Sequence, residues 1–272
     1  MTFTDYKALP GVNWSTLSSL RDSGLHYQHR LLDGDEDTPA KKMGRVAHVL
    51  ALDPDSFAAD YAIYEGGDRR GKDWAAFKAE HEGQDIFKPD EIETAMAIAD
   101  AVRRHPLVQP YLDGGLFEQT LEWRDAGTGL RCKGRPDWLV PSRRWLVDLK
   151  TARSVDARLF GLSAAKYGYH CQLAHYAAGV EAALGWKPEK VVIVAVENTS
   201  PHDVAVFVVD EEEALYAGRE EVRELLDKLS VFRSANTWPG RYSEEQALML
   251  PRYLFDDPDA ENPDSFPVTF GD

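Results

Sequence analysis

Gly134-Arg-Pro-Asp-Trp-Leu-Val140, then Pro141-Ser-Arg-Arg144, then Trp145-Leu-Val-Asp-Leu-Lys-Thr151 form one uninterrupted stretch. It reads as two strands joined by a four-residue loop over Pro141 to Arg144. Closing that loop sets Val140 opposite Trp145, and the same register sets Asp137 opposite Asp148. Cross-strand partners have Cβ atoms about 4.5 to 5.5 Å apart, so two like charges placed there repel unless something neutralises them. A divalent cation does so, because hard ions take carboxylate, carbonyl and water oxygens. On the second strand Asp148 and Lys150 project from one face and Trp145, Val147 and Leu149 from the other, which predicts one core face and one chemical face. Leu146 shares the Asp148 face, and Pro136, which lacks a ladder donor, marks a strand end, an edge or a bulge that re-aims its neighbours. The alternative is a surface hairpin with ordinary solvent-facing charges, since D-x-K alone is a weak pattern.

Composition sets the bounds. With 272 residues, 43% of them hydrophobic, the chain is long enough for one large domain. No terminal stretch has the basic-then-apolar pattern of a leader, and no apolar run approaches the roughly 20 residues that cross a bilayer, so the expectation is a soluble, intracellular (cytoplasmic) protein without a membrane partner. Cys132 and Cys171 lack a C-x-x-C companion and read as small core residues. A net charge of −15 argues against coating nucleic acid by global attraction. Locally the balance reverses: Arg131, Lys133, Arg135, Arg143, Arg144, Lys150 and Arg153 face only Asp137 and Asp148, so basic charge is expected to gather around the hairpin. The segment after Arg252 carries acids and no bases; it reads as a solvated terminus or as a competitor with DNA for the basic site.

Along the rest of the chain, Asn13 caps a short helix through Leu20, and Met43, Val46, Ala47, Leu50 and Ala51 repeat at helical spacing on a segment carrying His48. Glu65 to Lys72 reads as an exposed loop, and Asp90 to Arg104 as a helix stopped by Pro106. Leu116 to Trp123 alternates as one strand with Glu118, Thr120 and Glu122 on its polar face. A helix over about 164 to 184, strands over 191–196 and 204–209, and a helix over about 211 to 229 complete the order. Gln172 and Tyr176 are an i, i+4 pair on one helix face, able to reach a common substrate or to be a surface amide beside a half-buried ring. His48 reads as a helix–core histidine, an extra metal ligand or a phosphate donor. Glu118 reads as a metal-site carboxylate or an exposed strand residue.

Taken together, Gly44-x-x-x-His48-x-x-x-Leu52, Glu118 with Trp123, Thr128-Gly-Leu-x-Cys-x-x-Arg135-Pro-Asp137, Val147-Asp148-x-Lys150-Thr151 and His170-x-Gln172-x-x-x-Tyr176 resemble the PD-(D/E)xK nuclease superfamily, and within it the exonuclease VIII (RecE-like) family of phage and prophage recombination nucleases. The resemblance implies an α/β, restriction-endonuclease-like core, a mixed sheet flanked by helices. It implies a single nuclease domain over 1–272: a helical elaboration at 1–110 carrying His48, a core at 111–235 and an acidic, proline-containing extension at 236–272. The implied activity is Mg²⁺-dependent exodeoxyribonuclease digestion of linear double-stranded DNA, 5′ to 3′, with Mn²⁺ able to substitute. The implied partners are a single-strand annealing recombinase and further copies of the chain in a ring. Carried over by position, Asp137, Asp148, the Leu149 carbonyl and His48 hold the metal, and Lys150 orients the attacking water. Glu118 serves a second ion or its water shell, and Gln172, Tyr176, Arg135, Thr151 and Arg153 contact DNA. Asp148 stands where many superfamily members have Glu. A repair nuclease acting on single strands or flaps, and a catalytically silent DNA-end-binding module, are the alternative functions.

Overall fold

The computed structural model describes residues 3–34 and 38–250. The first half holds the α-helices α1 Phe3–Ala8, α2 Trp14–Leu17, α3 Gly24–Asp33, α4 Pro39–Leu52, α5 Phe57–Asp60, α6 Gly71–Glu80, α7 Pro89–Arg104 and α8 Gln109–Leu112, with β1 Tyr61–Ile63 before α6 and β2 Asp85–Phe87 before α7. There follow β3 Leu116–Phe117, β4 Leu121–Arg124, β5 Arg131–Gly134, β6 Trp138–Val140 and β7 Trp145–Ala152. The chain continues through α9 Ala157–Tyr167, α10 Tyr169–Leu184, β8 Lys190–Glu197, β9 Val204–Val208 and α11 Tyr216–Ala235.

The central sheet has the order β3-β6-β7-β8-β9. Only β7 and β8 pair in parallel; the other neighbours are antiparallel. A parallel pair needs a long crossover, and α9 and α10 supply it. The mixed sheet flanked by helices is the α/β architecture anticipated from the sequence. The hairpin register is also as read: Val140 faces Trp145, Leu139 faces Leu146 and Trp138 faces Val147.

Both sheet faces are buried. Val147, Leu149, Val192, Val194 and Val196 pack with Val46, Ala47, Ile98 and Val102 of α4 and α7. On the opposite face Leu139, Leu146, Ile193 and Ala195 pack with Leu173, Tyr176 and Val180 of α10. Strands covered on two sides carry near-continuous apolar runs, as β8 does. This corrects the division into a core face and a chemical face. Asp148 follows Leu146 into a second core, where only 1% of it meets solvent.

Two local departures share a cause, a backbone conformation that periodicity does not encode. The strand read over Leu116 to Trp123 is broken at Glu118, whose φ is 52°, so β3 joins the central sheet and β4 pairs with β5 in a separate ribbon. The helix read over 164 to 184 is two helices, because Gly168 takes a left-handed φ of 68° between α9 and α10. A Cβ at Gly168 would lie 2.7 Å from the Trp14 ring, so glycine is needed there for space as well. Helix α6 and the three-residue parallel pair β1–β2 were not foreseen: α6 buries no residue fully and the strands are too short to show a period. The acidic segment following Arg252 lies outside the described residues.

Candidate active site

Asp137 sits one residue before β6, where the antiparallel ladder with β7 has stopped at Trp138 and Val147. Without a ladder partner on the β6 side, the Leu149 N–H donates instead to Asp137 Oδ2 at 2.6 Å. The Asp137 carbonyl accepts the Glu118 N–H at 2.8 Å, so the kink at Glu118 is tied to the same corner. A non-glycine residue in the left-handed region costs about 1 to 2 kcal/mol, a strain that surrounding contacts must offset. Here Arg135 reaches the Glu118 carboxylate at 2.6 Å.

Helix α4 closes the site from the side of the first core. Gly44 allows the approach, since a Cβ there would lie 3.3 Å from Thr151 Oγ1 of β7. One turn on, His48 Nδ1 stands 3.5 Å from Asp137 Oδ2. From the opposite side α10 contributes Tyr176, whose hydroxyl accepts a hydrogen bond from Gln172 Nε2 at 2.9 Å. Gly134 makes room for the Tyr176 ring: a Cβ there would meet it at 3.0 Å. Lys150 pairs with Asp148 Oδ2 and lies 5.0 Å from the Tyr169 ring centre. Asp137, Asp148, Lys150, His48, Glu118 and Arg135 are thus brought together, with Thr151, Gln172 and Tyr176 around them. Arg153 is exposed beyond the end of β7.

The electrostatics divide the two aspartates. Burial raises the Asp137 pKa, but His48, Lys150 and the Leu149 N–H outweigh it and hold the carboxyl below its usual range. Asp148 is pushed up to about 6, first by burial and then by the charge of Asp137, against the opposing pull of Lys150. Burial disfavours the Lys150 ammonium, yet Asp148 and Asp137 more than restore it and its pKa rises. His48 is likewise raised: Asp137 overcomes desolvation. Glu118 is raised by burial and by Asp137, with Arg135 opposing. Two carboxylates whose environments drive their pKa values apart are a hallmark of acid–base and metal sites.

Asp148 Oδ1 is buried without a hydrogen bond, and Oδ2 meets the Lys150 ammonium. Desolvating a carboxylate in this way costs several kcal/mol, which an opposite charge offsets. The donor set of two carboxylates and an imidazole suits a hard cation. Among the described residues, though, the three donors that converge within 4.8 Å are those of His170, Cys171 and Glu221. Arg21 occupies that trio: its guanidinium pairs with Glu221 and donates to Cys171 Sγ at 3.3 Å. At the hairpin the corresponding cation is the Lys150 ammonium on Asp148.

The expected basic cluster is dispersed. Arg131 pairs with Glu122, Arg135 with Glu118 and Arg144 with Glu189, while Arg143 lies over Trp145. Lys133 is buried and donates to the carbonyls of Tyr6, Lys7 and Leu9 at 2.9, 3.1 and 2.7 Å, which anchors the end of α1. Of the seven bases, Lys150 on Asp148 and Arg135 on Glu118 stand among the acids of the site. Sequence reading also passed over Tyr169, for which the Tyr-Gly-Tyr string at the helix junction was the available signal.

Residues 13–249 match a family described as a PDDEXK-like domain of unknown function (DUF3799). The chain belongs to this family. The match takes in every site residue named above, from His48 to Tyr176. The PDDEXK-like fold is shared with a putative exonuclease from Eubacterium rectale, at 15% identity and a TM-score of 0.55, over 94% of this chain and 98% of that one. A phage related exonuclease from Haemophilus somnus 129PT aligns over 83% of this chain and 99% of that one, at 14% identity and a TM-score of 0.31, too slight a likeness to argue from. Among curated proteins, none matches this chain. No helix among the described residues is long and apolar enough to cross a membrane.

Proposed function

We propose that this PDDEXK-like chain is a divalent-cation-dependent deoxyribonuclease that shortens linear double-stranded DNA from an end. The observation that carries the reading is Asp148, a carboxylate 1% exposed, set beside Asp137, with Oδ1 buried and unpartnered and Oδ2 on the Lys150 ammonium. A carboxylate whose ionisation is so costly destabilises the fold unless it serves a ligand. Asp137, Asp148, His48 and the Leu149 carbonyl are the proposed holders of Mg²⁺, with Mn²⁺ able to replace it. When bound, such an ion polarises a phosphoryl oxygen and lowers the pKa of its water.

The chain's own residues do the rest. Lys150 keeps its proton at Nζ at neutral pH and so offsets charge that grows on the phosphate, while orienting the attacking water. His48 fixes the orientation of Asp137, as the Leu149 N–H does from the other side. Gln172, through its hydrogen bond to Tyr176, fixes the α10 side of the site against the scissile strand. Glu118, already paired with Arg135, acts on the water shell at the corner it shares with Asp137, and Thr151 lies where a backbone phosphate would pass. Attack from an end, the 5′ to 3′ direction, a single-strand annealing recombinase as partner, ring assembly and a cytoplasmic setting in a bacterial host follow from the sequence resemblance.

The test is nucleotide release from linear and closed-circular duplexes with and without Mg²⁺. Linear DNA is expected to be digested, circular DNA to survive, and Asp148→Ala or Lys150→Ala to abolish digestion. Full activity in both variants overturns the assignment. Preference for single-stranded or flapped substrates would move it to a processing nuclease.

A further inference from the structure

From the catalytic ammonium outward, two stacked aromatic rings lie between two cations. Lys150 Nζ lies 5.0 Å from the Tyr169 ring centre, the Tyr169 and Tyr167 rings are stacked at 5.9 Å and 24°, and Lys166 Nζ lies 5.6 Å from the Tyr167 ring. The series starts in the buried site and ends at the surface, where Tyr167 is 57% exposed. The left-handed Gly168 between α9 and α10 sets the two rings side by side, because a continuous helix would turn residues 167 and 169 to different faces. Leu159 and Leu162 leave apolar surface exposed on the same helix.

We infer that Tyr167 is a stacking platform for a base of an unpaired DNA strand, with Lys166 on its phosphate. The inference rests on the nuclease reading and assigns part of its substrate site. Proteins hold single strands by alternating aromatic faces with basic groups, and stacking tolerates any base because every base has a π-face. Two ring spacings separate Tyr167 from Lys150, a span of roughly two or three nucleotides at about 3.4 Å per strand step. An exonuclease working from a duplex end must separate the last pairs. A platform at that distance holds the strand that unpairing frees, and its apolar, neutral face distinguishes it from a phosphate site.

The probe is a 12-nucleotide single strand containing 2-aminopurine, titrated in Ca²⁺, with thermal melting to confirm that each variant is folded. Wild-type protein and Tyr167→Phe are expected to quench 2-aminopurine, and Tyr167→Ala to bind roughly tenfold or more weakly and lose the quenching. Tyr216→Ala, which removes an equally exposed ring on α11, is expected to change neither. Undiminished affinity and quenching in Tyr167→Ala, alongside normal digestion of linear DNA by the wild type, overturns the platform and leaves the nuclease reading standing. Absence of wild-type digestion overturns both. A change in sedimentation of Tyr167→Ala with quenching retained would assign the ring to contact with a second copy of the chain and overturn the proposal.

Discussion

Replacing Asp148 by Asn isolates the cost of keeping this site ready. In the folded chain the Asp148 pKa stands at about 6 against an ordinary 3.8, so ionisation is harder folded than unfolded. The sign follows directly: the folded state binds the proton more tightly, so the penalty is full above pH 6 and disappears as pH falls toward 3.8. The difference of roughly two pKa units corresponds to about 3 kcal/mol at pH 8, declining to about 1 kcal/mol at pH 4.5. Asn carries no such penalty, although it leaves the Lys150 ammonium without Asp148, at about 3 to 5 kcal/mol, and its buried amide costs about 1 to 3 kcal/mol where it lacks partners, both nearly constant over this pH range. The change of the difference with pH is therefore the quantity to read. Urea denaturation of both proteins in EDTA is expected to show the variant gaining about 2 kcal/mol relative to wild type between pH 4.5 and pH 8. Adding Mg²⁺ in excess should raise wild-type stability by mass action and leave the variant unmoved. A difference curve that is flat in pH would refute the idea that Asp148 is held ionised against its environment.

Lys150→Ala leaves Asp148 and Asp137 without their shared cation, and breaking a buried pair costs about 3 to 5 kcal/mol; melting at pH 8 should show the loss, with partial recovery at pH 5 as Asp148 takes a proton. His175, 1% exposed with Nε2 facing the Lys133 carbonyl at 3.2 Å, is pushed down to about 4 by burial, so it folds neutral. Its contribution is present above pH 6.5 and is lost as pH falls toward 4, about 3 kcal/mol in all, and a His175→Phe variant should lose that acid sensitivity in urea titrations. Lys133→Met removes three hydrogen bonds from the carbonyls ending α1, and limited proteolysis should then clip residues 3–9 several times faster while 38–250 stay resistant. Gly218→Ala places a Cβ 2.5 Å from the His170 carbonyl, a rigid backbone contact, and should lower stability by about 1 to 3 kcal/mol on denaturation.

What the sequence made legible was whatever depends on period and on loop closure. Val140 and Trp145 had to pair once Pro141 opened the loop, and that alone put Asp137 beside the Asp148 corner. The consequences of single backbone angles were not legible. Glu118 alternates with Thr120 and Glu122 as any strand residue does, and nothing in that pattern announces a φ of 52°. Charge misled for a different reason: Arg131, Arg135 and Arg144 cluster in sequence, but they stand on β5, in the segment between β5 and β6, and in the hairpin loop, and each found an acid of its own. Lys133 was the hardest to foresee, since its partners are carbonyls more than 120 residues away. The isolated burial of Asp148, which matters most for function, came from helix α10 covering a face expected to meet solvent.

The most direct measurement is a crystal soaked in Mn²⁺, with anomalous scattering used to place the ion. The expected result is a peak between the carboxylates of Asp137 and Asp148, with the Lys150 ammonium moved off Asp148. A peak only at His170, Cys171 and Glu221, with Asp148 still paired to Lys150, would contradict it.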